Sequence, residues 1–151
     1  MKAINTMRLA FDSRSANEAF ARTAVAAFLC SLDPTLDELT DIKTAVSEAV
    51  TNCIVHGYRE QINKVYITAA IYSDNRVLIK IKDNGCGIED IEKAREPLFT
   101  TRPSEERAGL GFAVMESMVD KVRVSSQPGK GTTVTLEKKI VSKGEGNGNN
   151  A

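Results

Sequence analysis

Apolar and polar positions divide the first part of the chain into one strand and two helices. Met7 to Asp12 alternates between apolar and polar residues, which predicts a strand. From Ser13 to Ser31 apolar residues recur at four-residue steps, which predicts a helix that ends at Asp33-Pro34. A second apolar stripe predicts a helix from about Pro34 to His56, with Gly57 as its stop signal.

The rest of the chain is predicted to contain two pairs of strands separated by helices and a long loop. In chain order these are strands 64–72 and 76–82, a short helix 89–95, a loop 96–108, a helix opening at 109–111, and strands 121–126 and 132–140. Because the strands follow one another as hairpins, we expect an α+β two-layer sandwich with a mixed, mostly antiparallel sheet and helices on one face. Residues 1–140 would form a single domain, and the Gly/Asn-rich segment 141–151 a disordered tail.

Composition narrows the kind of partner. The 151 residues are 42% hydrophobic, and 20 Lys and Arg balance 20 Asp and Glu. A formal net charge of zero argues against a nucleic-acid or membrane-surface partner, although it does not exclude local patches. No apolar run approaches the roughly 18 residues of a membrane span, and the N-terminus lacks a signal-peptide core. We therefore expect a soluble cytoplasmic protein.

The three cysteines do not indicate a disulfide framework or a metal site. Their count is odd, and none forms a CxxC pair. Cys30 and Cys53 lie in apolar helical stretches and are interpreted as small core residues. Cys86 lies in a glycine-rich loop and receives no role.

The second predicted helix carries two polar residues with chemical potential. Glu48 and Asn52 are four residues apart and therefore share a helix face. An Asn carbonyl can ligate magnesium held by phosphates, and a carboxylate one turn away can take a proton from an attacking hydroxyl. Taken alone, the pair also fits a solvated polar face.

Three glycine-containing segments could contact a nucleotide. In the segment Asp83 to Gly87 the glycines allow close backbone approach, and the Asp carboxylate can accept a hydrogen bond from an exocyclic amine such as that of adenine. Gly109-Leu110-Gly111 opens a helix, whose free N–H groups attract anions. The third segment is Gly131-Thr132-Thr133, in which the hydroxyl of Thr132 could reach the same adenine edge as Asp83. A tight turn, a loop end and a β-favouring Thr pair are the alternative interpretations.

The order and spacing of these segments resemble the ATPase superfamily of DNA gyrase, heat-shock chaperone, histidine kinase and MutL over about residues 34–140. That resemblance implies the Bergerat ATP-binding fold. It also implies that the helix Asn ligates magnesium, that the Glu is a base, that the loop Asp binds adenine, and that the segment between the glycine boxes is a lid.

The motifs SEAVTNCIVHGY, REPLFTTRP and ERAGLGFAVME, with the N-terminal FDSRSANEAFARTAVAAFLCSLDPT, resemble the anti-sigma-F factors of spore-forming bacteria, the stage II sporulation protein AB family. The likeness runs from Arg8 to Lys139. It implies a homodimeric, ATP- and Mg²⁺-using serine protein kinase. Such a protein inhibits the sporulation sigma factor F and phosphorylates its anti-anti-sigma factor, stage II sporulation protein AA.

The resemblance also assigns roles to individual residues. Glu48 would be the catalytic base and Asn52 the magnesium ligand, while Arg22 would contact the protein partner. The remaining residues would bind ATP together with Asn52: Asp83, Gly85, Gly87, Thr101, Arg107, Gly109, Gly111 and Thr132.

Two other functions remain open from sequence. One is a binding module in which ATP sets partner affinity without phosphotransfer, although Glu48 argues against it. The other is a histidine kinase catalytic domain, against which stands the lack of a phosphoacceptor helix pair upstream of the first strand.

Overall fold

In the computed structural model, which describes residues 1–96 and 111–141, five strands form one sheet in the order β1-β2-β3-β5-β4. The strands are β1 (Ala3–Asp12), β2 (Lys64–Tyr72), β3 (Arg76–Asp83), β4 (Lys121–Gln127) and β5 (Gly131–Lys139). The helices are α1 (Asn17–Leu29), α2 (Leu36–Asn52), α3 (Ile91–Arg95) and α4 (Gly111–Met118), with a 3₁₀ turn at Cys30–Leu32 and a π-helical turn at Cys53–Gly57. The predicted α+β fold is confirmed, and every strand pairing in the described part is antiparallel.

The core lies between one face of the sheet and the helices. On β2 and β3 every second residue is buried, as the two-residue period of a strand with one covered face requires. Helix α2 packs between α1 and α4 and buries its apolar stripe, including Val46 and Val50, in the same core. Since α2 is central to the helical layer, its polar residues are held in fixed positions relative to the sheet.

The pairing of β3 with β5 brings together two residues of interest. In this register Asp83, the last residue of β3, lies opposite Thr132, the second residue of β5. The loop after β3 and the turn before β5 therefore meet at one end of the sheet.

The first strand and first helix differ from their predicted bounds. β1 begins at Ala3 rather than Met7, because its N-terminal part also pairs with β2. α1 begins at Asn17 rather than Ser13. The hydroxyl of Ser13 is buried, donates to the carbonyl of Gln61 and accepts from the N–H of Asn63, so this residue forms a turn before the helix. Cys30 is exposed, which corrects its interpretation as a core residue.

Helix α2 starts at a capping box. The Thr35 hydroxyl accepts from the backbone N–H of Glu38 at 3.1 Å, and the Glu38 carboxylate accepts from the N–H of Thr35 at 2.9 Å. The other Glu38 oxygen accepts from the N–H of Val141 at 2.6 Å, which ties the end of the described chain to the start of this helix.

Thr35→Ala should lower the free energy of unfolding by about 1 kcal/mol, because it removes a hydroxyl that satisfies a free N–H at the helix start. Urea denaturation followed by circular dichroism measures the change. Thr40→Ala, an exposed position on the same helix, is the matched control and should stay within about 0.5 kcal/mol of the wild type. Equal losses in both variants would show that the capping box contributes nothing.

Candidate functional site

A cavity of about 520 Å³ opens between the end of α2, the loop after β3, the short helix α3 and the start of α4. Its lining includes four of the residues that the sequence predicted for ATP binding: Asn52, Asp83, Gly87 and Thr132. Residues from both predicted nucleotide loops and from the polar helix therefore converge on one space. Its volume is within the range of small-molecule sites.

Asp83, at the end of β3, contributes a buried carboxylate to the lining of this cavity. It is only 3% exposed, and one carboxylate oxygen accepts from the backbone N–H of Gly85 at 2.9 Å. Burial raises the pKa of Asp83, while hydrogen bonds from the Gly85 N–H, the Cys53 thiol and the Thr132 N–H act in the opposite direction. The measured contact of the carboxylate is thus the one with its own loop, through the N–H of Gly85.

The glycines of this loop permit a very close approach to the end of α2. A Cβ on Gly85 would lie 2.0 Å from the carbonyl oxygen of Gly57, and a Cβ on Gly57 would lie 2.7 Å from the Asp83 carboxylate. The N–H of Cys86 donates to the Gly57 carbonyl at 2.9 Å. Gly87 has a φ of +76°, in the left-handed region that side chains disfavour. Gly85 and Gly87 therefore shape the loop, and Gly57 is a site residue that the sequence reading treated only as a helix stop.

Tyr58 fixes the backbone of the same loop from within the core. Its side chain is buried, and its hydroxyl donates to the carbonyl of Lys64 at 2.5 Å and accepts from the N–H of Asn84 at 2.8 Å. The sequence reading assigned Tyr58 no function, since nothing in the pattern shows that a tyrosine after a helix reaches a loop 26 residues later.

Thr132 lies beside Asp83 on the paired strand β5 and is connected to the loop through Ser126. Its hydroxyl oxygen is 2.8 Å from that of Ser126, which also accepts from the backbone N–H of Ile88 at 2.8 Å. Ser126 therefore joins the end of the Asp83 loop to the predicted adenine-reading threonine, and the sequence reading missed it. Its only sequence signal is a serine near the end of β4, directly beside β5.

Glu48 and Asn52 lie on the same helix but border different spaces. Asn52 lines the large cavity, and the start of α4 packs on its amide: a Cβ on Gly111 would lie 3.1 Å from the amide oxygen. Glu48 lines a second cleft, of about 320 Å³, together with Arg22 and Lys43. Glu48 is only 5% exposed, which excludes the solvated polar face as an explanation for it.

The second cleft joins α1 to α2. Arg22 forms an ion pair with Glu18 at 3.6 Å, and Glu18 accepts from the hydroxyl of Thr51 at 2.9 Å. The structure thus places the predicted partner-binding arginine and the predicted base in one cleft, a juxtaposition that the sequence reading did not predict.

Several predicted residues lie outside the described part of the chain. These are Thr101, Arg107 and Gly109, with most of the predicted lid and almost all of the predicted tail. Within the described residues no cluster of three or more His, Cys, Asp or Glu side chains could hold a metal ion. Across the same residues, no helix combines the length and apolarity that crossing a bilayer requires.

The five-stranded sheet, its helical layer and the cavity at the end of α2 define a histidine kinase-like ATPase domain. The chain matches the family of that description over residues 11–138. It also shares this fold with the RsbU and RsbW domains of a Mycobacterium tuberculosis protein (TM-score 0.65, 21% identity, 90% of this chain and 32% of that one). A further solved structure with the fold is the mycobacterial sensor histidine kinase MprB (TM-score 0.56, 17% identity, 87% of this chain and 98% of that one).

Sequence relatives narrow the class. An anti-sigma F factor of Thermoanaerobacter sp. (strain X514) is 58% identical over 94% of this chain and 99% of the relative. One from Geobacillus kaustophilus is 55% identical over 90% of this chain and 93% of the relative. The chain belongs to the family of anti-sigma F factors.

Tyr58→Phe should lower the free energy of unfolding by about 1–3 kcal/mol, because it leaves the Asn84 N–H and the Lys64 carbonyl without their buried partner. Chemical denaturation measures the loss. Tyr66→Phe, which removes the hydroxyl of a half-exposed tyrosine on β2, is the control and should change stability little. An unchanged Tyr58→Phe protein would show that the hydroxyl does not hold the loop.

Proposed function

We propose that this chain is an anti-sigma factor that binds and inhibits the sporulation sigma factor F. As an ATP-dependent serine protein kinase it also phosphorylates and inactivates the anti-anti-sigma factor, stage II sporulation protein AA. The observation that carries the proposal is the arrangement on α2, which presents Asn52 to the large cavity and Glu48, one turn away, to a cleft that contains Arg22. A nucleotide and a protein substrate could approach one helix from two sides.

The adenine end of ATP is assigned to Asp83 and Thr132. A carboxylate accepts hydrogen bonds and therefore suits the exocyclic amine of adenine, and the Thr132 hydroxyl can donate or accept at the adjacent ring edge. Both residues line the cavity, and both are held by further hydrogen bonds from within the protein.

The phosphate end is assigned to the start of α4. Helix N-termini carry free N–H groups and a positive dipole end, and Gly111 lets this one approach the Asn52 amide closely. Thr101 and Arg107 are assigned to the proposed lid, and Gly109 is proposed to shape the ATP pocket with the other glycines. Residues in the described part fit Mg²⁺ only as a partner of ATP: Asn52 offers one neutral oxygen, and magnesium commonly takes its other ligands from phosphates and water. Bound there, magnesium would neutralise phosphate charge.

The transfer step is assigned to Glu48. Its carboxylate would take the proton of the substrate serine hydroxyl, and the serine oxygen would form a bond to the γ-phosphorus. The bond between that phosphorus and the bridging oxygen would break, and ADP would leave. Positioning and charge stabilisation carry most of the catalysis in such transfers.

Partner binding is assigned to α1 and the N-terminal strand. The Arg22 side chain is 38% exposed at the mouth of the second cleft, so that a protein segment can reach it and Glu48 together. β1 forms one edge of the sheet and exposes Ile4, which supports the homodimer as a proposal. A partner of the transcription machinery places the protein in the cytoplasm.

Asp83→Asn should weaken ATP binding on the order of 10–100-fold, because an amide replaces the charged acceptor for the adenine amine. Titration with a fluorescent ATP analogue measures the dissociation constant. Asp74→Asn, in the exposed turn between β2 and β3, is the matched control. Unchanged affinity in Asp83→Asn would mean that the adenine site is elsewhere.

Glu48→Gln should reduce transfer of labelled phosphate from ATP to the partner serine by about 10²–10⁴-fold, with ATP affinity nearly unchanged, because only the proton acceptor is lost. Single-turnover transfer gives the rate, and acid-stable label on serine distinguishes it from phosphohistidine. Asp37→Asn, at an exposed position on the same helix, is the control.

Arg22→Ala should weaken binding of the protein partners, whereas the dissociation constant for ATP should stay unchanged.

Full transfer by Glu48→Gln would overturn the base assignment. ATP-dependent sigma-factor binding with no transfer by the wild type would instead favour the binding module without catalysis.

A further inference from the structure

The face of the sheet opposite the helical layer is formed by rows of polar and basic side chains. On each strand every second residue lies on this face, and the strand pairing aligns these residues across the sheet. The middle row runs from Arg8 through Thr68, Lys80 and Thr135 to Arg123. We call the surface formed by these rows the outer face.

Charge is distributed unevenly between the outer face and the rest of the chain. The strands place eight basic residues on the outer face but only two acidic ones, Asp12 and Glu137. The basic residues are Arg8, Lys64, Arg76, Lys80, Lys82, Lys121, Arg123 and Lys139. Since the whole chain has a formal net charge of zero, the remainder carries a matching negative excess. The composition therefore does not show a basic surface that the fold creates.

Both acidic residues of the outer face already have a basic partner. Lys64 lies 2.7 Å from the Asp12 carboxylate, and Arg76 lies 3.5 Å from that of Glu137. The six other basic residues are exposed, and none of them forms an ion pair within the described part of the chain. Six like charges on one surface repel one another, so the approach of a polyanion is favourable there.

The side chains between the cations favour a phosphate backbone over an acidic protein. Thr68, Thr133, Thr135 and Ser125 lie beside the cations on neighbouring strands. Hydroxyls of Ser and Thr, together with Lys and Arg, are the groups with which proteins contact phosphate oxygens. The cores of protein–protein interfaces are instead depleted in Lys and enriched in aromatic residues. On the described strands, Tyr66 is the one exposed aromatic residue of the outer face.

A double strand fits this surface better than a single strand. Proteins that hold single strands stack successive bases on aromatic side chains. Here the ring of Tyr72 is covered by the Arg76 guanidinium, 4.5 Å from the ring centroid, which leaves Tyr66 without a second platform. Strands about 4.8 Å apart place the cations of β1, β3 and β4 about 10 Å from one another, comparable with DNA groove widths of about 6 and 12 Å.

We propose that the outer face binds double-stranded DNA through its phosphate backbone, without reading the base sequence. The cations neutralise phosphates and release their counterions, and the hydroxyls donate to phosphate oxygens. This inference goes beyond the proposed function and does not depend on it, because the large cavity and the second cleft lie on the helical side of the sheet.

The test measures the fluorescence anisotropy of a short labelled DNA duplex of arbitrary sequence, titrated with the full chain. From about 50 to about 200 mM salt the affinity should fall on the order of 10²–10³-fold, as expected for about four to six phosphate contacts. A second duplex of unrelated sequence should bind equally well.

Lys80→Gln and Arg123→Gln should each weaken duplex binding on the order of 3-fold and reduce the slope of log affinity against log salt by about 1. Both positions are exposed, and glutamine keeps a polar side chain there, so melting temperatures should stay close to that of the wild type. Lys43→Gln on α2 is the matched control, because it removes the same charge from the helical layer. Its duplex affinity should be nearly unchanged.

Three results would overturn the proposal. The first is no binding of the duplex at the lower salt concentration. The second is that Lys43→Gln weakens binding as much as Lys80→Gln, which would show that only total charge matters. The third is tighter binding of a labelled polyglutamate peptide, or of a single strand of the same length, than of the duplex. That result would assign the outer face to an acidic protein or to single-stranded nucleic acid instead.

Discussion

The nucleotide cavity depends on a close approach between two backbones, the end of α2 and the loop after β3. The N–H of Cys86 donates to the carbonyl of Gly57, and neither Gly57 nor Gly85 has room for a Cβ. A larger side chain at either position would separate the loop from the helix by more than a hydrogen bond tolerates. The helix then supplies Asn52 and the loop supplies Asp83 to the same cavity, so this contact determines whether a site exists.

The loop after β3 is held at two further points, so its backbone has little conformational freedom. Tyr58 holds Asn84 from the core side, and Ser126 holds Ile88 from β4. Preorganised donors and acceptors bind a ligand without first losing conformational entropy. The Asp83 end of the cavity is thus held in place before any ligand binds.

The sequence predicted the elements well because their periodicity is local. It predicted part of the cavity lining because the order and spacing of the motifs on α2 and after β3 resemble those of a known ATPase superfamily. It could not predict partners that are fixed by tertiary contact. Tyr58 and Ser126 carry no motif, and each contacts a segment far away in the chain. The predicted start of α1 at Ser13 was wrong for the same reason, since Ser13 is held by hydrogen bonds to a loop about 50 residues later.

The spacing of Glu48 and Asn52 shows what a pattern on one helix can and cannot decide. Four residues place two side chains on one face, but a face of a packed helix can border more than one space. Here the start of α4 lies on Asn52, and α1 lies beside Glu48, so α2 borders both the large cavity and the second cleft. A rigid helix between two ligands transmits a change at one side to the other only if its neighbours move. For this fold those neighbours are α4, which packs on α2 over the Asn52 amide, and α1, which carries Arg22. The packing of these two helices on α2 therefore connects the cavity beside Asn52 to the cleft beside Glu48.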